Sequence, residues 1–272
     1  MPQHSYVVPA RVASAMLKLT IVMLSTQACA DNAAGPAPPP DSVASLSVAR
    51  TAPPQQINRQ LLETVSAGAH RTADDRALDA ARRPADAFAF LGADPRMTIV
   101  ELAPADDYYA AILAPFIRYG EGVYYRAHET DNAAAADRAR WAEVDKAVFG
   151  NIRIMTISEI AGNAKHPGAD IAFIARRACA WRETGGGPAA LGALDGILRS
   201  GGVLAFIETR ADATAAVSAA EAAGYQLEAG LDGEITVSAK EIADASADPC
   251  RGVEDESGTL VTLKFRKAPT LE

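Results

Sequence analysis

The stretch Thr98 to Ile117, "TIVELAPADDYYAAILAPFI", decides how this chain is read. "TIVEL" is short and apolar on both faces, which suits a strand buried inside a sheet. "DYYAAILAPFI" places apolar residues at helical spacing, and "APAD" between them is a turn. Strand, turn and helix N-terminus in that order are the layout of a nucleotide-binding loop. Yet the turn holds no glycine: Ala103, Pro104, Ala105, Asp106 and Asp107 fill it. The loop either still holds a ligand or has been filled in.

Working outward, strands and helices alternate. "GVYY" (Gly122 to Tyr125) reads as the second strand, "AAAADRARWAEVDKAVF" as a helix and "NIRIMTI" (Asn151 to Ile157) as the third strand. "ADIAFIA" (Ala169 to Ala175) is the fourth strand, "PAALGALDGILRS" a helix and "GGVLAFIET" the fifth strand. "ATAAVSAAEAAG" is a helix, "YQLEAGL" the sixth strand and "TLVTLKFRK" (Thr259 to Lys267) the last. Short strands apolar on both faces, separated by helices, predict an α/β fold: a doubly wound, Rossmann-like, mostly parallel sheet of about seven strands. The final connection, "DGEITVSAKEIADASADPCRGVEDESG", shows no clear amphipathic crossover helix, so the last strand is expected to enter antiparallel. Upstream, "INRQLLETVSAGAH", "TADDRALDAARRP" and "PADAFAFLG" read as helices, with Thr72 as an N-cap, Pro84 as a start and Gly92 as a stop.

The first residues carry a different signature. Arg11 and Lys18 are the only full charges before Asp31, "MLKLTIVML" is a short apolar core, and "ACA" (Ala28 to Ala30) is a small-x-small cleavage pattern. The run is too short for a mature membrane span. Two versions of export stand: cleavage near Asp31, or a lipidated Cys29 that holds the protein at a membrane. The destination in both is the periplasm or cell envelope. "DNAAGPAPPPDSVASLSVARTAPPQQ" is Pro/Ala-rich and nearly uncharged, and predicts a disordered tether. The expected organisation is an export signal over 1–30, the tether over 31–56, N-terminal helices over 57–97 and the Rossmann-like domain over 98–272.

The formal net charge is −8, and loss of Arg11 and Lys18 with the signal would take it to −10. No basic run or aromatic-basic stripe is present, which argues against nucleic acid as a partner. His70, His128 and His166 are scattered without metal-ligand or triad spacing, so no metal is expected. No G-x-S-x-G or H-E-x-x-H occurs, which leaves a hydrolase without support. Nothing in the sequence specifies an oligomeric state.

Taken together, "RTADDRALDAARRPADAFAFLGADPRMTIVEL", "YYAAILAPFI", "LDGILRSGGVLAFIETR" and "AAEAAGYQLEA" resemble, in order and spacing, a group of exported predicted methyltransferases of the class I, S-adenosylmethionine-dependent kind. The resemblance spans about residues 70–266. It implies S-adenosylmethionine as cofactor, with Glu101 near its ammonium, loop positions Ala103, Ala105 and Asp107 beside its methionine half, and Asp170 at the family's acid on the fourth strand. The glycine places of the family loop are held here by Ala103, Ala105, Asp106 and Asp107. Aspartates at a helix N-terminus satisfy the amides and dipole there, so they compete with the cofactor's carboxylate. Arg126 lies near the place of the ribose-binding acid, and Glu129 comes late. The family's R-N-x-H-N-W after the fourth strand reads "RRACAW" (Arg176 to Trp181), with Cys179 at the histidine place. Cys179 and Cys250 are both expected above the carboxyl edge of the sheet, where a disulfide and two free thiols are about equally consistent with the sequence. Two functions stand: methyl transfer to an unidentified substrate, or a non-catalytic envelope protein that binds a small molecule or protein on the same scaffold.

Overall fold

A computed structural model describes residues 54–162, 168–232, 235–237 and 260–267. The expected export signal, most of the expected tether, Cys29, His166 and Cys250 lie outside the described residues.

Four helices lead in: α1 (Pro54–Ser66), α2 (Ala73–Ala77), α3 (Asp79–Arg82) and α4 (Pro84–Leu91). Thr72 caps α2 through a capping box with Asp75. Pro84 sits in the first turn of α4, and Gly92 ends it at φ 81°. The strands are β1 (Thr98–Leu102), β2 (Val123–His128), β3 (Ile152–Thr156), β4 (Ala169–Ala175), β5 (Leu198–Thr209), β6 (Tyr225–Asp232), β7 (Ile235–Val237) and β8 (Leu260–Lys267). Between them come α5 (Ala110–Arg118), α6 (Asp131–Ala142), α7 (Lys146–Phe149), α8 (Ile157–Ala161), α9 (Ala178–Thr184), α10 (Gly187–Gly192), α11 (Leu194–Ile197) and α12 (Ala213–Ala222).

The strands form one sheet of order β3-β2-β1-β4-β5-β8-β6-β7. β3, β2, β1, β4 and β5 run parallel, and β8 enters antiparallel between β5 and β6. That is the expected doubly wound, Rossmann-like sheet with a reversed last strand. The short β7, which pairs with β6, adds a strand to the seven expected.

Side chains alternate across the sheet, as the pleat requires. Ile99, Phe173, Ala205 and Ile207 face one core with Leu62, Phe88, Leu113 and Phe116 of α1, α4 and α5. Val100, Leu102, Ile174, Leu204 and Phe206 face the other with Ile160, Leu191, Leu194 and Ala216 of α8, α10, α11 and α12. α1 and α4 thus add Leu62, Val65, Phe88 and Leu91 to the core on that face of the sheet, within the same compact unit as the strands.

Candidate functional site

The order β2-β1-β4 places the switch in connection direction between β1 and β4, and a doubly wound sheet opens its ligand crevice at the carboxyl ends of such strands. Glu101 and Arg126 lie side by side in the parallel register of β1 and β2. Both point to the α5 side, with Ile99 and Tyr124, because alternate residues share a face.

Arg126 is the centre of the arrangement. Its side chain is 1% exposed and lies 3.6 Å from Glu101, whose side chain is 2% exposed. Its Nη2 donates to Asp107 Oδ1 at 3.0 Å and to the Asp106 carbonyl at 3.1 Å, and its Nε donates to Asp137 Oδ2 at 2.8 Å. Asp137 also accepts from His128 Nε2 at 2.8 Å and from Arg140, while Arg140 reaches Asp107 at 2.9 Å. Tyr124 donates its hydroxyl to Glu101 through a short hydrogen bond. One guanidinium therefore ties β1, the β1–α5 loop and α6 together.

The charge states follow. Burial pushes the Glu101 carboxyl up to about 7, although Arg126 and the Tyr124 hydroxyl favour its ionised form. Burial drives the Tyr124 hydroxyl well up, and the adjacent Glu101 carboxylate adds to this. Burial also raises Asp107, with Arg126 and Arg140 opposing. Asp137 goes the other way: burial opposes its charge, but His128, Arg126 and Arg140 together hold it down at about 2.

Ala103 adopts the left-handed conformation, φ 47°, that a glycine would take without strain. It is buried, and its amide donates to the Ala127 carbonyl at 2.7 Å, whereas Ala105 is exposed. The aspartates do not cap the helix as expected. α5 starts only at Ala110, and its N-cap residue Tyr109 has no side-chain cap. Asp106 accepts from Tyr108 N at 3.0 Å and pairs with buried Arg82 at 2.9 Å, and Asp107 is taken by Arg126 and Arg140. The physical reason is charge: three arginines outcompete a few helix amides for these carboxylates.

Asp170 is not part of this edge. It lies at the entry end of β4, where it accepts from Thr98 N at 2.8 Å and pairs with Arg199 at 2.6 Å. It anchors the starts of β1, β4 and β5, at the opposite end of the strands from Glu101.

On the β4 side, Glu129 accepts from Trp181 Nε1 at 3.0 Å and from Arg177 at 2.8 Å. Glu208, near the end of β5, accepts the amides of Arg177 at 2.9 Å and Ala178 at 3.0 Å. Cys179 is disulfide-bonded. Its expected partner, Cys250, lies outside the described residues. Among the described residues no group of acids, histidines and cysteines has the arrangement of a metal site, and no helix is long and apolar enough to cross a membrane.

As arranged, these residues do not fit S-adenosylmethionine. Glu101, expected from the resemblance to meet its ammonium, is already engaged by Tyr124 and Arg126. Arg126, expected near the ribose position, lies inside β2 and faces Glu101, and Glu129, which directly follows the strand, is held by Trp181 and Arg177. Tyr124, Asp137, Arg140 and Arg82 were not singled out from the sequence, and His128 was read there only as one of three scattered histidines. The signal was there in part: Tyr124, Arg126 and His128 alternate on one face of an otherwise apolar sheet, and Asp137 and Arg140 sit one helical turn apart.

No family model matches the chain, and no curated protein matches it in sequence. Similar solved structures include a SAM-dependent methyltransferase from Aquifex aeolicus, 12% identical over 76% of this chain and 97% of that one, with a TM-score of 0.48. A TehB-like SAM-dependent methyltransferase from Corynebacterium glutamicum is 11% identical over 78% of this chain and 97% of that one, with a TM-score of 0.42. The glycopeptide N-methyltransferase MtfA, crystallised with S-adenosylmethionine, is 12% identical over 70% of this chain and 94% of that one, with a TM-score of 0.46. The assignment of the fold rests on the strand order and registers themselves, which are those of a doubly wound, Rossmann-like sheet with a reversed last strand.

Proposed function

We propose that this chain is an S-adenosylmethionine-dependent methyltransferase-like protein whose ligand edge is shut, in the state described here, by its own side chains. The observation that carries this reading is the place of Glu101. It is a buried acid at the carboxyl end of β1, beside the switch between β1 and β4, where a doubly wound sheet receives its ligand. The ligand enters only when the groups around Glu101 release it. No step of methyl transfer is assigned, because the edge as arranged does not hold the cofactor.

A second reading is a non-catalytic envelope protein that binds a small molecule or a protein through the same scaffold. What favours it is the segment after β4. There Cys179 is in a disulfide and Ala180 has no polar group, so no side chain at those two positions can move a proton for a substrate.

Calorimetry of the full chain with S-adenosylmethionine and S-adenosylhomocysteine tests the choice. The closed-edge reading expects saturable, mutually competitive binding with Kd above about 100 µM. Absence of heat at millimolar ligand, with the protein folded, would leave the second reading. Micromolar binding to the unaltered protein would show that the edge is not shut.

A further inference from the structure

Arg126 does more than fill space. Its guanidinium lies beside Glu101, 3.6 Å from the carboxylate. The arms of this arginine are unequal. Nε and Nη2 are held by Asp137, Asp107 and the Asp106 carbonyl at 2.8 to 3.1 Å. Nη1 faces Glu101 at 3.6 Å and makes no hydrogen bond among the described residues, although it is buried. The arm that meets the acid of the edge is therefore held by charge alone, without a hydrogen bond, and a primary ammonium at hydrogen-bond distance would compete with it for Glu101. The acids behind it keep other partners: Arg140 for Asp107, and Arg140 with His128 for Asp137.

We propose that Arg126 is an internal stand-in for a ligand's ammonium group, and so determines which ligands this edge admits. Adenosyl ligands that carry an amino-acid half compete with Arg126 for Glu101. Adenosyl ligands without that half do not. This rests on the reading that the edge belongs to an adenosyl ligand at all, and the experiment separates the two.

The probes are S-adenosylhomocysteine, which has the ammonium, and methylthioadenosine, which lacks the amino-acid half. The variant is Arg126→Gln with Asp137→Asn, which removes one buried cation and one buried anion together, so that the net buried charge is unchanged, while Asp107 keeps Arg140 and Glu101 keeps the Tyr124 hydroxyl. Calorimetry on the full chain should show S-adenosylhomocysteine binding at least about tenfold tighter than to the unaltered protein, with methylthioadenosine changed by less than about twofold. Equal changes for both ligands, or no change for either, would overturn the role of Arg126 while leaving the adenosyl site standing. Failure of both ligands to bind either protein would overturn the adenosyl site, and this inference with it. If circular dichroism shows the double variant unfolded, Arg126→Lys replaces it. Lysine keeps a cation but loses the fork that spans several acids. A gain of about threefold or more for S-adenosylhomocysteine alone is then expected, and its absence counts against the proposal.

Discussion

Glu208 offers a direct test of how the carboxyl edge of the sheet is held. It is 1% exposed, and one of its oxygens accepts two backbone amides from the β4–α9 turn. Burial pushes its carboxyl from the ordinary 4.5 up to about 8; the two amides and Arg176 oppose this, and nearby Asp212 reinforces it. The native state therefore keeps a proton that the unfolded chain releases at lower pH. Its contribution is fully present below about pH 4.5 and is lost as pH rises through about 8. Over that interval, at about 1.36 kcal/mol per unit, the loss is about 4 to 5 kcal/mol. Glu208→Gln keeps the shape and an acceptor for both amides but cannot ionise. Urea unfolding of both proteins from about pH 5 to about pH 9 gives the difference in stability at each pH. The two should agree near pH 5, and the unaltered protein should fall behind steadily above it. Glu101, raised to about 7, titrates in both proteins and cancels in the difference. Parallel curves across the range would refute the reasoning, since they would mean that Glu208 ionises without cost in its buried site.

The acid limb should show the reverse sign. Asp137, held down at about 2 against an ordinary 3.8, stabilises the fold above about pH 4 and loses that contribution as pH falls through about 2, an effect of about 2 kcal/mol. Asp137→Asn should lack this limb in acid unfolding followed by circular dichroism, and an unchanged limb would move its origin elsewhere. At Ala103, with φ 47°, Ala103→Gly should raise stability by up to about 1 kcal/mol, whereas Ala114→Gly inside α5 should lower it by about 1 kcal/mol. Thermal melts read both, and a shift of the same sign at the two sites would remove the conformational argument.

The sheet was legible in the sequence because its signals are local. "ADIAFIA" is β4 to the residue, and Thr72, Pro84 and Gly92 stand at the helix ends where their chemistry puts them. Boundaries were missed where charge or a cap intervened. The helix read through "AAAADRARWAEVDKAVF" breaks in two, with Asp145 capping α7 through the Ala147 amide at 2.7 Å. "LRS", read as the end of a helix, opens β5 instead. The site was less legible for a physical reason. Positions such as Glu101 and Ala103 can be found by place in the chain, but Glu101 is bonded to Tyr124 and Arg126 of β2, and Arg126 is held in turn by Asp137 of α6, contacts that exist only through the tertiary fold. Asp170 shows the same limit: its place on β4 could be read, while its service to Thr98 and Arg199 could not.

The wedge position of β8 carries a consequence for the order in which the chain assembles. β6 precedes β8 in the chain yet touches β5 only through it, so β6 and β7 have no seat on the sheet until Leu260–Lys267 has been made. Until then β5 presents an open row of amides and carbonyls along Leu204–Thr209, and the β6–β7 ribbon presents another. A ribosome releasing this chain would hold a half-sheet of β1 to β5 with an adhesive edge, and the final strand would seal two edges in one event. Folding is thereby tied to late synthesis, and the interval before β8 emerges is when the chain is most exposed to pairing with a wrong neighbour or to capture by a factor that keeps it unfolded.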